Sequence, residues 1–161
     1  MAKVTPQELE LLSGAASSIQ TQINTQAAKV IKFTEATRAT DLTISSAYTT
    51  FADLTDLTVT FTTSIPNEVI LLHSCLTVSS ASTATAVVFA YNVDAGTDVQ
   101  YAVFNADGSI NAEHTATLCR SITLASAGSH TIKLRGARTG GVNWTLKPGD
   151  GVCFLSVTQF G

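Results

Sequence analysis

Six side chains are of the types that carry acid–base, nucleophilic or metal chemistry: His73, His114 and His130, with Cys75, Cys119 and Cys153. A protein-bound zinc draws its Cys and His ligands from short, characteristic spacings. No histidine here stands at such a spacing from another His or from a Cys, so the three are read as serving unrelated roles. His73 lies inside an apolar segment and reads as partly buried, whereas His130 follows a turn and reads as solvated. The cysteines are odd in number, far apart and flanked by strand-forming residues, a pattern of three buried reduced thiols made in a reducing cytosol. Asp53 with Asp56, and Asp94 with Asp98, have the ligand type for calcium. Each pair flanks a predicted turn, however, where Asp is favoured because it bonds its own backbone. There is no Gly-rich phosphate loop, nucleophile elbow or Cys–His pair at a motif spacing. The chain is read as non-enzymatic, with no cofactor and no metal.

Trp144, Tyr48, Tyr91 and Tyr101 have the rings that stack on sugars, but four such residues over about a hundred positions is ordinary core usage, and the structural reading leads. Arg120, Lys133, Arg135 and Arg138 gather in the last third. Lys133 and Arg135, at i and i+2, share one strand face. A solvated face is the simpler reading; an anionic partner such as a capsid surface or lipopolysaccharide is the sharper one. With a net charge of −3 and no basic stripe, nucleic-acid binding is not expected. The N-terminus lacks the apolar core of an export signal, and no apolar run approaches the ~18 residues of a membrane span. The chain is therefore read as soluble, with no membrane insertion.

The elements that position these residues follow from composition. The 161 residues suffice for one compact domain and an arm. Charged residues make up 13%, about half the usual share, while 25 Thr and 15 Ser supply the polar surface. Thr favours the pleated, half-buried surface of a sheet. From Leu57 the hydrophobic period is two, with Leu57, Val59 and Phe61 facing one way and Thr58, Thr60 and Thr62 the other. Segments 69–79, 84–93, 99–104, 115–124, 131–135 and 151–157 complete at least seven strand candidates, a spacing that predicts an antiparallel sandwich or barrel. Turns fall at Asp94–Gly96, Asn105–Gly108, Ser126–Gly128 and Gly140–Gly141, and Pro66 and Pro148 punctuate strand entrances.

Residues 1–35 read as a helical arm and 36–161 as the β-domain, with 33–42 as a Thr/Ala-rich connector. Thr5 is a good N-cap, Pro6 suits the first helical position, and Glu8 closes a capping box. Gly14 is expected to break the helix, and Ser17 with Gln20 to restart it near 18–29. Alternate steps of three and four from Leu9 visit Leu12, Ala16, Ile19, Ile23, Gln26 and Val30, the a and d positions of a heptad. Leu9, Leu12, Ile19, Ile23 and Val30 are therefore the candidate self-association contacts.

The arm also resembles a motif of tailed-bacteriophage fibre proteins. Its parts read here as Thr5-Pro6-Gln7-Glu8-Leu9, Leu12-Ser13-Gly14 and Ser17-Ser18-Ile19-Gln20-Thr21-Gln22-Ile23. The family commonly has Asp-Gly where this chain has Ser13-Gly14. It usually repeats the segment along a shaft, whereas here it occurs once, so a long fibre is not expected. The later part resembles the jelly-roll modules at the ends of phage fibres and of collagen-like bacterial surface proteins. The resembling stretches are Leu57–Phe61, Ala127–Leu134, Leu146–Asp150 and Phe154–Val157. Together the resemblances imply a homotrimeric virion protein assembled in the host cytoplasm, with a helical stalk or anchor and three β-sandwiches. The implied role is that of a capsid-decoration (cement) or head-fibre protein whose partner is the major capsid protein. The competing reading is the receptor-binding tip of a short tail fibre, recognising a host surface glycan or protein through the turns 94–97, 105–112 and 137–143.

Overall fold

The computed structural model describes residues 6–27, 31–82, 85–106, 113–149 and 153–160. The chain divides into two compact units, Met1–Lys32 with Phe160–Gly161 and Phe33–Gln159.

The first unit contains one helix, α1 (Pro6–Ala27). It starts at the proline whose missing N–H has no intrahelical partner to lose; Thr5, the expected cap, lies outside the described residues. The expected break at Gly14 does not occur. A glycine in a helix interior costs only about 1 kcal/mol relative to alanine, and nothing lies within 4 Å of the position a Cβ would take. The hydroxyls also follow the helix instead of restarting it. Ser13 Oγ donates to the Glu10 carbonyl at 3.1 Å, Ser17 Oγ to that of Gly14 at 2.9 Å and Thr21 Oγ1 to that of Ser17 at 2.8 Å. Ser17 is thus an interior residue bonded back to the preceding turn. No described helix is long and apolar enough to cross a membrane.

The second unit is a sandwich of two antiparallel sheets built from β1 (Lys32–Arg38), β2 (Leu42–Ile44), β3 (Ala52–Thr63), β4 (Glu68–Ser80), β5 (Ala86–Val93), β6 (Val99–Asn105), β7 (Glu113–Leu124), β8 (Gly128–Thr139), β9 (Trp144–Leu146) and β10 (Cys153–Gln159). The described residues place six strands in one sheet and four in the other. In the larger sheet β4 is central. β7 pairs along one edge from Glu68↔Leu124 to Ser79↔Glu113. The other edge is shared by β10, over Ile70–Cys75, and β9, over Val78–Ser80. β1 and β2 extend the sheet beyond β10 and β9. The smaller sheet runs β3-β8-β5-β6. Mainly β, antiparallel and two-layered, this is the expected jelly-roll sandwich with a helical arm.

One apolar layer fills the space between the sheets. Ile70, Leu72, Leu76 and Val78 of β4 face Leu57, Val59, Val87, Phe89, Ile132 and Leu134 of the smaller sheet, with Leu155 and Val157 of β10 beside them. Trp144 is fully buried and donates its indole N–H to Thr85 Oγ1 at 3.4 Å. Residues 33–42, read as a connector, are largely strand. In β1 the half-buried Thr34, Ala36 and Arg38 alternate with exposed residues, but only one of the three is apolar, so the period cannot be seen in sequence. Asp53 and Asp56 do not flank a turn but lie within β3, where the register to β8 slips between Asp53 and Thr58. Asp56 takes the irregularity up at φ 70°. The nearly buried Arg38 side chain spans it, donating to the Thr55 carbonyl at 2.9 Å and to Asp56 Oδ2 at 3.0 Å.

The β5–β6 hairpin turns at Val93–Gly96, closed by the Gly96 N–H on the Val93 carbonyl at 2.8 Å. Both central residues are left-handed, Asp94 at φ 52° and Ala95 at φ 58°, as a type I′ turn requires. A side chain beyond Cβ is tolerated there best when it is Asn or Asp; alanine is strained by about 1 kcal/mol. Replacement of Ala95 by glycine should therefore raise the urea midpoint at unchanged slope, by the equivalent of about 1 kcal/mol; a lower midpoint would show that the turn is not strained.

Candidate functional site

The two outward faces of the sandwich differ in chemistry. On the smaller sheet the outward residues of β8, Thr131, Lys133 and Arg135, oppose Thr60, Thr58 and Asp53 of β3. Lys133 Nζ lies 2.6 Å from Asp53 Oδ2, and Arg135 Nη1 lies 2.6 Å from Asp98 Oδ2. Arg135 Nε is 2.9 Å from Asp53 Oδ1 but off the hydrogen-bonding direction, and its Nη2 donates to the Phe51 carbonyl. The Lys133 hydrogen bond leads in holding the Asp53 carboxyl below its usual range. Arg135 is raised, chiefly by its bonds to Asp98. Lys133 and Arg135 share a face, as the spacing predicts, yet both are engaged by acids of their own chain. Arg120 instead sits over the Tyr91 ring at 5.7 Å, and Arg138 binds the carbonyls of Ser45 and Gly140. The four cations form no common patch for an anion.

The outward face of the larger sheet has no charge over a wide area. Val69, Leu71, His73, Cys75 and Thr77 of β4 lie opposite Thr123, Ser121, Cys119, Thr117 and Thr115 of β7. Phe154 and Thr158 of β10 continue the surface, with Ser156 buried between them and the His73 and Phe154 rings edge to face at 5.0 Å. His73 is part-buried, as expected. The cysteines depart from the expectation of three buried thiols: all are free, but only Cys153 is buried, while Cys75 is part-buried and Cys119 exposed. Cys75 and Cys119 sit at odd positions of β4 and β7, whose even positions face the core, whereas Cys153 shares the inward row of Leu155 and Val157 in β10; the flanking residue types do not reveal this phase. Burial pushes the Cys153 thiol up, which suits a packing role and not a nucleophile.

At one end of the sandwich three turns meet around His130. The imidazole is 5% exposed and continues the inward row of Ile132 and Leu134, so the expectation of a solvated histidine fails. The signal was present in the period-two phase of β8, but the preceding Ser126–Gly128 turn masked it. Its Nδ1 lies 2.7 Å from Asp94 Oδ2 and its Nε2 lies 3.0 Å from the Ser126 carbonyl. Asp94 also accepts the Thr131 N–H on Oδ1 at 2.7 Å and donates its own N–H to the Thr131 carbonyl at 2.9 Å. Glu68, at the start of β4, accepts from the Ser64 N–H at 3.2 Å and from Gln159 Nε2 at 3.0 Å.

No catalytic arrangement emerges from these contacts. Among the described residues no three His, Cys, Asp or Glu side chains gather at ligating positions. Asp53, Asp56, Asp94 and Asp98 each face a cationic side chain or His130 rather than a shared cavity. The aromatic residues form no sugar platform: Trp144 is internal, Tyr91 and Tyr101 pack ring against ring at 5.7 Å, and Tyr48 donates to Gln100. Burial pushes the Tyr101 phenol up to about 12. The turns read as a recognition surface are split as well. β5 lies opposite Asn105 and Thr139 at Ala86, and opposite Ile132 at Val93. The turn at 94–97 is therefore at the opposite end of the sandwich from those following β6 and β8; residues 107–112 lie outside the described residues. Of the self-association residues, Ile19 is 56% exposed on α1. Leu9, Leu12 and Ile23 lie on the same helix, and Val30 is outside the described residues.

The ion-paired face is tested by substitution. Arg135→Met removes the guanidinium donor of the Phe51 carbonyl and leaves Asp98 only the long bond from Asn92 Nδ2 at 3.4 Å, and should cost about 1–3 kcal/mol in urea denaturation. Lys133→Met removes a half-exposed partner and should cost less than about 1 kcal/mol. Equal costs would show that the network acts only through surface charge.

No family model matches the sequence, and no curated protein matches it. Solved structures share the fold. A structure of the Gt strain of infectious bursal disease virus aligns at 11% identity and a TM-score of 0.53, covering 81% of this chain and 33% of that one. A VP2 subviral particle of infectious bursal disease virus aligns at 12% identity and a TM-score of 0.55, covering 81% and 33%. T=1 particles derived from that virus align at 14% identity and a TM-score of 0.53, covering 81% and 32%. This chain thus spans about a third of the length of the structures it matches, and what it shares with them is an antiparallel jelly-roll sandwich.

Proposed function

We propose that the protein is a non-enzymatic structural component of a virion, a homotrimer that decorates the head of a tailed phage as a cement or head-fibre protein. The observation that carries this reading is α1. It is a continuous helix of 22 residues, and its described side chains, Gln7, Glu10 and Ser13–Gln22, are all exposed. Gly14 with Ser13, Ser17, Ser18 and Thr21 lowers the intrinsic helix propensity of this segment, and most helical stability in proteins comes from packing an apolar stripe. Copies of the same helix supply such packing through Leu9, Leu12, Ile19 and Ile23, and Ile at both a and d positions is compatible with three strands.

The outward strip of β10, β4 and β7 that runs between Glu35 and Glu113 carries no charged residue and supports assembly, because depletion of charge marks the centre of protein interfaces. The major capsid protein is the proposed further partner, contacted during assembly in the host cytoplasm. The jelly-roll fold shared with virus particles supports a virion role by analogy of fold. A receptor-binding tip draws less support, since two of the turns that would form its surface, 94–97 and 137–143, lie at opposite ends of the sandwich.

Two measurements test the proposal. Ile19→Asp with Ile23→Asp should convert the trimer to monomers in sedimentation velocity while leaving the sandwich folded; a persisting trimer would move association to the sandwich. In purified virions, quantitative mass spectrometry with immunogold labelling should find hundreds of copies over the head. A few copies confined to the tail tip would overturn the decoration role in favour of host recognition.

A further inference from the structure

The surroundings of His130 present acceptors to both ring nitrogens. Nδ1 meets the Asp94 carboxylate at 2.7 Å and Nε2 meets the Ser126 carbonyl at 3.0 Å. A neutral imidazole has one N–H and can satisfy only one of them, whereas the imidazolium satisfies both. The groups around the ring favour the charged form. Asp94 faces it from the β5–β6 turn, the Glu68 carboxylate acts from the start of β4, and the Phe61 ring of β3 lies at 6.0 Å. Among the described residues the charged groups acting on the ring are both carboxylates, Asp94 and Glu68.

We propose that His130 is a proton-operated latch, which in its doubly protonated form ties the β5–β6 turn to the β7–β8 turn across one end of the sandwich. Deprotonation leaves the stronger, charge-assisted bond to Asp94 and gives up the bond to Ser126. Among the described residues that carbonyl then keeps the longer bond from Thr63 Oγ1, at 3.3 Å, a hydroxyl it shares with the Gly128 carbonyl at 3.4 Å. The Asp94 turn stays on the histidine side, because the Thr131 N–H continues to hold its other oxygen.

The pH window follows from two opposite shifts. The hydrogen bond to Asp94 leads in raising His130 above 6.5. Its contribution to stability is therefore complete below pH 6.5 and is lost as pH rises through the folded value. Partial desolvation opposes ionisation of Asp94, but the Thr131 N–H and His130 outweigh it and hold the carboxyl below 3.8. That contribution is present above pH 3.8 and is lost as pH falls through the folded value.

The test is an NMR pH titration of the full chain, following the imidazole nitrogens of His130 and the backbone amide of Ala127, which belongs to the same peptide as the Ser126 carbonyl. Both ring nitrogens should be protonated at pH 6, and the Ala127 shift should move with the same midpoint, above 6.5, as the ring loses its proton. Asp94→Asn keeps a residue suited to the left-handed turn while removing the charge, and should lower that midpoint. Across the transition the unfolding equilibrium constant of the native chain should rise about tenfold for each unit by which the folded value exceeds 6.5. In His130→Gln this dependence should vanish. A neutral ring at pH 6, an Ala127 shift that ignores the ring, or an unchanged midpoint in Asp94→Asn would each refute the latch. Should the glutamine variant fail to fold, the native and Asp94→Asn titrations still decide the matter.

Discussion

Burial of a single apolar layer between two antiparallel sheets is the interaction on which the rest of this protein depends. The chain has few charges with which to enforce anything else, and β4 concentrates the effect. It pairs with β7 on one edge and with β10 and β9 on the other, while its inward side chains meet the smaller sheet. A one-residue slip of β4 would turn Ile70, Leu72, Leu76 and Val78 outward and bring His73 and Cys75 into the core. That penalty fixes the register of three other strands together. It also determines which surface is left bare, because the outward row of β4 is whatever the core does not take.

The sequence disclosed the parts of the fold whose period repeats long enough to be read. The Thr-apolar alternation of β3 and the long apolar run of β4 both announce strands, and the start of α1 at a proline follows from elementary capping rules. The short strands were hidden for a physical reason: Leu42–Ile44 and Trp144–Leu146 are three residues each and exist as strands only through their partners. β1 was hidden because its inward positions are Thr, Ala and Arg, so its burial is a property of the neighbouring strand. Gly14 misled in the other direction, since local propensity was overridden by a run of helical neighbours.

The polar arrangements were less legible than the fold. Asp94, Asp98, Lys133 and Arg135 are recognisable as charged turn and strand residues, but Asp94 reaches His130 over 36 positions, Asp98 reaches Arg135 over 37 and Lys133 reaches Asp53 over 80. Nothing local predicts that Asp53 will meet both Lys133 and Arg135 across a slipped register. The phase of His130 with Ile132 and Leu134 points it inward, but the turn before it is the stronger local signal. Cys75 and Cys119 show the same limit: a strand-forming neighbourhood fixes the element and leaves the face open.

The pairing of charges within the chain has a consequence for how the protein meets other surfaces. Asp41 with Lys147, Asp53 with Lys133, Asp56 with Arg38 and Asp98 with Arg135 are closed pairs, each of which looks from a distance like a dipole. These pairs project little long-range field of their own, so the ion-paired face neither steers in nor repels an approaching partner beyond the chain's net charge of −3. Encounter is then governed by diffusion and by the fit of hydroxyl and apolar surface at close range, so the rate of docking should vary little between dilute buffer and concentrated salt.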